Sequence, residues 1–119
     1  MLVTVRAVKL VTAVIKPHVV QQVTDALHAI GVDGITLSEV RGHGRQRGHT
    51  EVFRGAEYRV DFLPKMRLEI VIDDAKAEDV ASAIADAARS GKIGDGKIWI
   101  PTVERVIRIR TGEVDLEAI

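Results

Sequence analysis

Residues 64–91, PKMRLEIVIDDAKAEDVASAIADAARSG, decide the fold. Met66, Leu68, Ile70 and Ile72 alternate with Lys65, Arg67, Glu69 and Val71, the period-two pattern of a strand with one face turned to a core. The pattern then changes period. Ala77, Val80, Ala81, Ile84, Ala87 and Ala88 recur at helical spacing over residues 74–90, with Glu78 and Asp79 early in the helix and Gly91 placed to end it.

The flanking segments repeat this alternation. KLVTAVIK at 9–16 is rich in β-branched residues and stops at Pro17, which predicts a strand. Val19, Val23, Ala26 and Ile30 recur at helical spacing, with Gly31 where a left-handed residue would close the helix. GITLSEVR at 34–41 reads as a second strand. Residues 97–110 return to strand character and are interrupted at Pro101, which suits an edge or a break. The order strand, helix, strand, strand, helix, strand is the split βαβ arrangement of an α+β, ferredoxin-like βαββαβ domain.

Two helices cover one face of a four-stranded sheet and leave the other bare. Yet both Val11, Ala13, Ile15 and the opposite set Leu10, Thr12, Val14 are nearly all apolar. A sheet apolar on both faces needs cover on both, so self-association is expected.

Between the second and third expected strands lies RGHGRQRGHTEVFRGAEYRVD, residues 41–61. A loop of this length inside a compact domain is usually functional. It carries Phe53 and Tyr58, two of the four Phe, Tyr and Trp residues present, which a solvated linker seldom does.

Composition sets limits. The 119 residues fit one domain. Seventeen basic residues balance seventeen acidic ones, so no global field draws the protein to nucleic acid or membrane, and an anion site must be local. Cysteine is absent, which excludes disulfides and thiolate metal sites and fits a reducing cytoplasm. No apolar run approaches the roughly 20 residues of a membrane span. MLVTVRA at the start lacks the parts of a signal peptide, and it reads as an extension ahead of the domain, from an early translation start or as an added edge segment.

Three motifs bear on chemistry. GKIGDGK at 91–97 has most of a phosphate-binding loop, but Ile98 stands where a magnesium-binding hydroxyl is needed, and the motif leaves a helix instead of entering one. An anion nest with Lys97 fits better than an NTPase, and a plain helix-to-strand connection is the alternative. Arg108 and Arg110, two apart on an expected strand, would present both guanidinium groups on one face, suited to phosphate. The four histidines have no metal-ligand spacing, and no Ser-His-Asp set or carboxylate pair is evident. Aromatics at 3% leave little for RNA stacking.

VTAVIKP at 11–17, GRQRGHTEVFRGAEYRVDFLPK at 44–65, GKIGDGKIW at 91–99 and RVIRIRTGE at 105–113 stand in the order and separations of one family. The chain resembles the PII nitrogen-regulatory signal transduction proteins from Lys9 to Ile119, without an insertion. The resemblance implies a single domain over 9–119 after the extension at 1–8, with an exposed loop at about 42–61. It also implies a homotrimer with ATP or ADP in clefts between neighbours.

The positions matching the family's nucleotide site are Thr36, Gly44, Arg45, Gln46, Gly94, Asp95, Gly96, Lys97, Arg108 and Arg110. The glycine–lysine segment comes from one subunit and the arginines Arg108 and Arg110 from the next. Gln46 matches the magnesium ligand beside 2-oxoglutarate, and Lys65 the lysine that pairs with a carboxylate of that metabolite. Tyr58 matches the tyrosine modified by nucleotidylyltransferases, and Arg54 the arginine inserted into an ammonium channel. The implied protein is a non-catalytic regulator of ammonium transport and nitrogen-assimilation enzymes or regulators. It would be cytoplasmic, recruited reversibly to the membrane through the channel, and would not bind nucleic acid directly.

Some positions depart from the family pattern. Phe53 stands where a second tyrosine is common, Ala56 where some branches carry a phosphorylated serine, His18 and His43 where aromatics are usual, and Pro101 is atypical. The principal alternative is a small phosphotransferase or ATPase using the same basic cleft, which the missing hydroxyl and catalytic base disfavour. A nucleic-acid-binding module is disfavoured by charge.

Overall fold

The computed structural model describes residues 8–43, 50–53, 56–59 and 62–119, with the main chain alone at 50–53 and 56–59. Its elements are β1 (Val8–Ile15), a 3₁₀ turn (Pro17–Val19), α1 (Val20–Ala29), β2 (Thr36–Gly42), β3 (Thr50–Phe53), β4 (Ala56–Arg59), β5 (Leu63–Asp73), α2 (Asp74–Ala88), β6 (Gly96–Trp99), β7 (Thr102–Val103) and a terminal 3₁₀ turn (Asp115–Ala118). The main sheet runs β2-β5-β1-β6, with every neighbouring pair antiparallel. That is the strand order of the ferredoxin-like fold expected from the sequence.

Both helices lie where the periodicity put them, and their ends have local causes. Gly31 at φ +86° closes α1 in a Schellman motif: its N–H donates to the His28 carbonyl and that of Val32 to the Leu27 carbonyl, both at 3.0 Å. Asp73 caps α2 by accepting from the Ala75 N–H at 3.0 Å, a contact typically worth about 1 kcal/mol. Arg89 is already extended, so α2 stops two residues before the expected boundary.

The core forms between the helices and one sheet face. Val11, Ala13 and Ile15 of β1 and Leu68 and Ile70 of β5 meet Val23 and Leu27 of α1 and Val80 and Ile84 of α2, all essentially inaccessible. Each of the valine, leucine and isoleucine side chains contributes roughly 1.5–3 kcal/mol on burial. The opposite face carries Leu10, Val14, Val40, Val71 and Trp99 by register, with Trp99 46% and Val71 38% exposed. The same register sets Thr12, Lys65, Arg67, Glu69 and Lys97 among these residues, so the open face is mixed, and the described helices cover only the other one.

The long loop expected at 41–61 carries a hairpin, β3 and β4 pairing antiparallel, Thr50 opposite Arg59 through Phe53 opposite Ala56. Residues 97–110 break at Pro101 as expected, but the strand expected to run on to residue 110 ends at Val103. β6 and β7 keep a single register along β1, and the Leu10 N–H donates to the Pro101 carbonyl at 3.0 Å. Pro101 has no N–H to return the bond, so the strand is broken there. After Val103 the chain leaves the sheet altogether. Among the described residues no helix is long and apolar enough to cross a membrane.

Candidate functional site

The segment between α2 and β6 is a pinned turn. Gly91, Gly94 and Gly96 all adopt positive φ, at +82°, +95° and +112°. Residues with a Cβ rarely reach that region. Asp95 lies at the centre of the turn. One carboxylate oxygen accepts from the Ser90 and Gly91 N–H groups at 2.8 and 2.9 Å, and the other from the Ser90 hydroxyl and from Lys16 Nζ at 3.3 Å. The hydroxyl and N–H of Ser90, followed by Gly91 and Lys16, hold the Asp95 carboxyl well below its usual range, against an opposing effect of burial. These contacts give Asp95 a role inside the turn, shaping it.

Gly96 has a second reason to be glycine. It pairs with Ile15 in the β1–β6 ladder, and a Cβ built on it would stand 1.8 Å from the Val14 carbonyl oxygen. No rearrangement of a side chain relieves a clash with main chain.

On the open face of the sheet this turn borders a cleft of about 520 Å³. Val14, Leu63, Ile93 and Trp99 form its apolar walls, and His43, Lys65, Lys97 and the main chain of Gly42, Gly94 and Gly96 supply its polar groups. Among the described residues no aspartate or glutamate lines it. Lys65 Nζ donates to the Gly94 carbonyl at 3.0 Å. Its pKa is lowered from the ordinary 10.5, first by burial and then by repulsion from Lys16, with Asp95 acting in the opposite sense. An anion entering here would relieve that repulsion. A smaller cavity of about 270 Å³ lies under the end of α2, walled mainly by Ile15, Ile84, Ala88 and Ile98.

The fold thus brings Gly94, Gly96, Lys97 and Lys65 to one cleft. Thr36 is not with them. It is exposed on β2, the edge strand opposite β6. Arg108 and Arg110 stand apart as well, and not on a strand. Ile107 bridges Val114, and the Gly112 N–H donates to the Arg108 carbonyl at 2.8 Å, so the chain reverses through Arg110. The Arg108 guanidinium bonds the Glu113 carboxylate at 3.1 Å and the Ile119 main-chain oxygen at 3.0 Å. β7 enters this segment from the Val8 end of β1, whereas Lys97 faces Val14 near the other end of that strand. No described hydrogen bond or ion pair joins either arginine to the glycine turn.

Gly44, Arg45, Gln46 and Arg54 lie outside the described residues. Tyr58 is described in its main chain, paired with Glu51. The sequence reading did not single out Lys16, Trp99, Leu63 or Ile93 for the site. Ile93 and Trp99 lie in the GKIGDGKIW segment and Leu63 in the long segment before Lys65, but only strand pairing and the turn bring their side chains to the cleft, while Lys16 reaches the turn through Asp95.

A model of the family described as nitrogen regulatory protein P-II matches residues 8–113. The nitrogen regulatory protein P-II of Rhizobium meliloti is 56% identical over 111 residues, covering 93% of this chain and 99% of that protein. The nitrogen regulatory protein GlnK of Escherichia coli is 51% identical with the same coverage. In three dimensions the fold matches Arabidopsis thaliana PII, solved bound to citrate, with a TM-score of 0.78 at 38% identity, over 95% of this chain and 92% of that one.

Proposed function

This chain belongs to the nitrogen regulatory protein P-II family, and from that premise we propose a trimeric sensor of ATP, ADP and 2-oxoglutarate. The observation that carries the reading is the cleft of Lys65, Lys97 and glycine main chain, with apolar walls and no acidic side chain among its described lining, on the sheet face that the described helices leave open. A polyanion with apolar parts suits such walls. Magnesium would arrive with the nucleotide, since the described lining offers cations and carbonyls and no carboxylate to hold a bare ion.

The separation of Arg108 and Arg110 from the glycine turn supports a composite nucleotide site. One subunit contributes Gly94, Gly96 and Lys97, its turn shaped by Asp95, and the next contributes Arg108 and Arg110, with Thr36 at the nucleobase. Association through the open sheet face would cover Val71 and Trp99 while completing the site. Arg45 and Gln46 join from the base of the loop, Gln46 as a magnesium ligand.

Lys65 pairs with a carboxylate of 2-oxoglutarate, whose binding depends on Mg-ATP. The loop then reports the ligands to its targets. Arg54 docks on an ammonium channel, which recruits the cytoplasmic protein to the membrane, and Tyr58 is the site for a nucleotidylyltransferase. The named relatives are regulatory proteins, in keeping with a non-catalytic role.

Calorimetric titration with 2-oxoglutarate, with and without Mg-ATP, tests the reading. Binding that requires Mg-ATP and proceeds without turnover supports it; steady ATP hydrolysis, or no binding under either condition, refutes it.

A further inference from the structure

The cleft holds a third basic side chain that no motif accounts for. His43 directly follows β2, and its ring leans on Phe62 with centroids 5.9 Å apart and planes inclined at 55°. It makes no hydrogen bond or ion pair to any described residue, while its ring is steadied by an aromatic neighbour. Across the sheet the order is β2, β5, β1, β6, so Lys65 lies between His43 on one side and Lys97 on the other. Three strand spacings, about 14 Å, separate the outer two strands.

That spread fits two anionic ligands or one long one. A polyphosphate takes the Lys97 end, where Gly94 and Gly96 bring main chain to the surface. The His43 end, with Lys65 beside it, is left for a second anion.

We propose that His43 is a specificity-determining residue of this cleft, its imidazole N–H meeting the distal carboxylate of a 2-oxo dicarboxylate bound with Mg-ATP. The inference rests on the sensor reading above and sharpens it. A 2-oxo acid chelating magnesium uses its 1-carboxylate and 2-oxo oxygens, so its far carboxylate is the group that remains for protein donors. Lys65 is already bonded to the Gly94 carbonyl and supplies charge from a partly committed ammonium. His43 adds a directional donor, and a carboxylate leaving water needs its oxygens paired. Apolar Leu63 beside them fits the methylene part of the ligand.

The test uses the full chain at saturating Mg-ATP, titrated calorimetrically with 2-oxoglutarate and with 2-oxopentanoate, which has the same length and lacks the distal carboxylate. The variants are His43→Phe, which keeps an aromatic against Phe62 and removes the donor, and His43→Gln, which keeps an N–H. His43→Phe should weaken 2-oxoglutarate about tenfold, leave 2-oxopentanoate and ADP within about twofold, and so erase most of the discrimination. His43→Gln should recover part of it. Unchanged discrimination in His43→Phe overturns the inference, as does parallel loss of 2-oxoglutarate and ADP in both variants, which would mark a structural role. If the wild type binds no 2-oxoglutarate with Mg-ATP, it is the sensor reading that falls, and this inference with it.

Discussion

The ammonium of Lys65 lies 3.0 Å from the main-chain oxygen of Gly94, tying the strand that follows the long loop to the turn that follows the second helix. The two residues are 29 positions apart, and Lys65 faces the cleft from β5 while Gly94 forms its rim. A ligand that draws on Lys65 must therefore act on the turn as well.

Lys65 makes a stability statement of unusual sign. Its folded pKa lies below the ordinary 10.5, so at alkaline pH the unfolded chain binds the proton more tightly, and stability rises as the pH climbs towards 10.5. The charged form thus costs stability at neutral pH. Lys65→Met should unfold at the wild-type temperature or higher at pH 7 and show a flatter rise above it, measured by thermal melts across pH. The same variant should lose Mg-ATP-dependent 2-oxoglutarate binding and keep ADP affinity within about twofold. Equal loss of ADP would assign the lysine to the nucleotide or to the fold.

Asp95 has the opposite linkage. Its folded pKa is depressed, so its contribution is present above the ordinary value of 3.8 and disappears as the pH falls below that value. Asp95→Asn should melt below wild type at pH 7, and the gap should narrow steadily on acidification through the carboxylate range. A gap independent of pH would mean that the turn is held by packing instead of charge.

Gly96→Ala is expected to be the most damaging small substitution in the turn. It combines a left-handed φ with a Cβ that would stand 1.8 Å from the Val14 oxygen, so β6 must separate from β1 at that end. The expected cost is about 2 kcal/mol or more, seen as a clear fall in melting temperature. Gly31→Ala has open space around its Cβ and strain in φ alone. It should cost less, about 1 kcal/mol.

A composite site makes a prediction about mixtures. Lys97→Ala and Arg110→Ala homotrimers should each bind ATP weakly. In trimers co-assembled from both, one cleft receives its lysine and its arginine from unmutated sides, so about a third of the binding capacity should return. Calorimetric stoichiometry on the mixed trimers decides it. No recovery would place both residues in one subunit's site, or neither in a site at all.

Both helices and the strands that form the core were legible in the residues, because hydrophobic period is a local property. Met66 to Ile72 could only alternate across a sheet, and Gly31 could only end its helix. From that order of elements the antiparallel arrangement followed with little freedom.

Register was a different matter. That Val14 stands opposite Lys97, and Ile15 opposite Gly96, depends on pairing between a strand near the start of the chain and one near its end. No local pattern specifies it, yet it places the lysine at the cleft and obliges position 96 to be glycine. The RVIRIRT segment has strand composition, but Gly112 allows a reversal and the Ile107–Val114 bridge closes it, so the arginines left the sheet. The hairpin of β3 and β4 was hidden because its pattern is short and polar. Motif chemistry named the groups that carry charge; only the fold decided that Asp95 turns inward to its own loop, that Trp99 and His43 join the cleft, and that Arg108 is held by Glu113, because each of these depends on distance in space instead of distance along the chain.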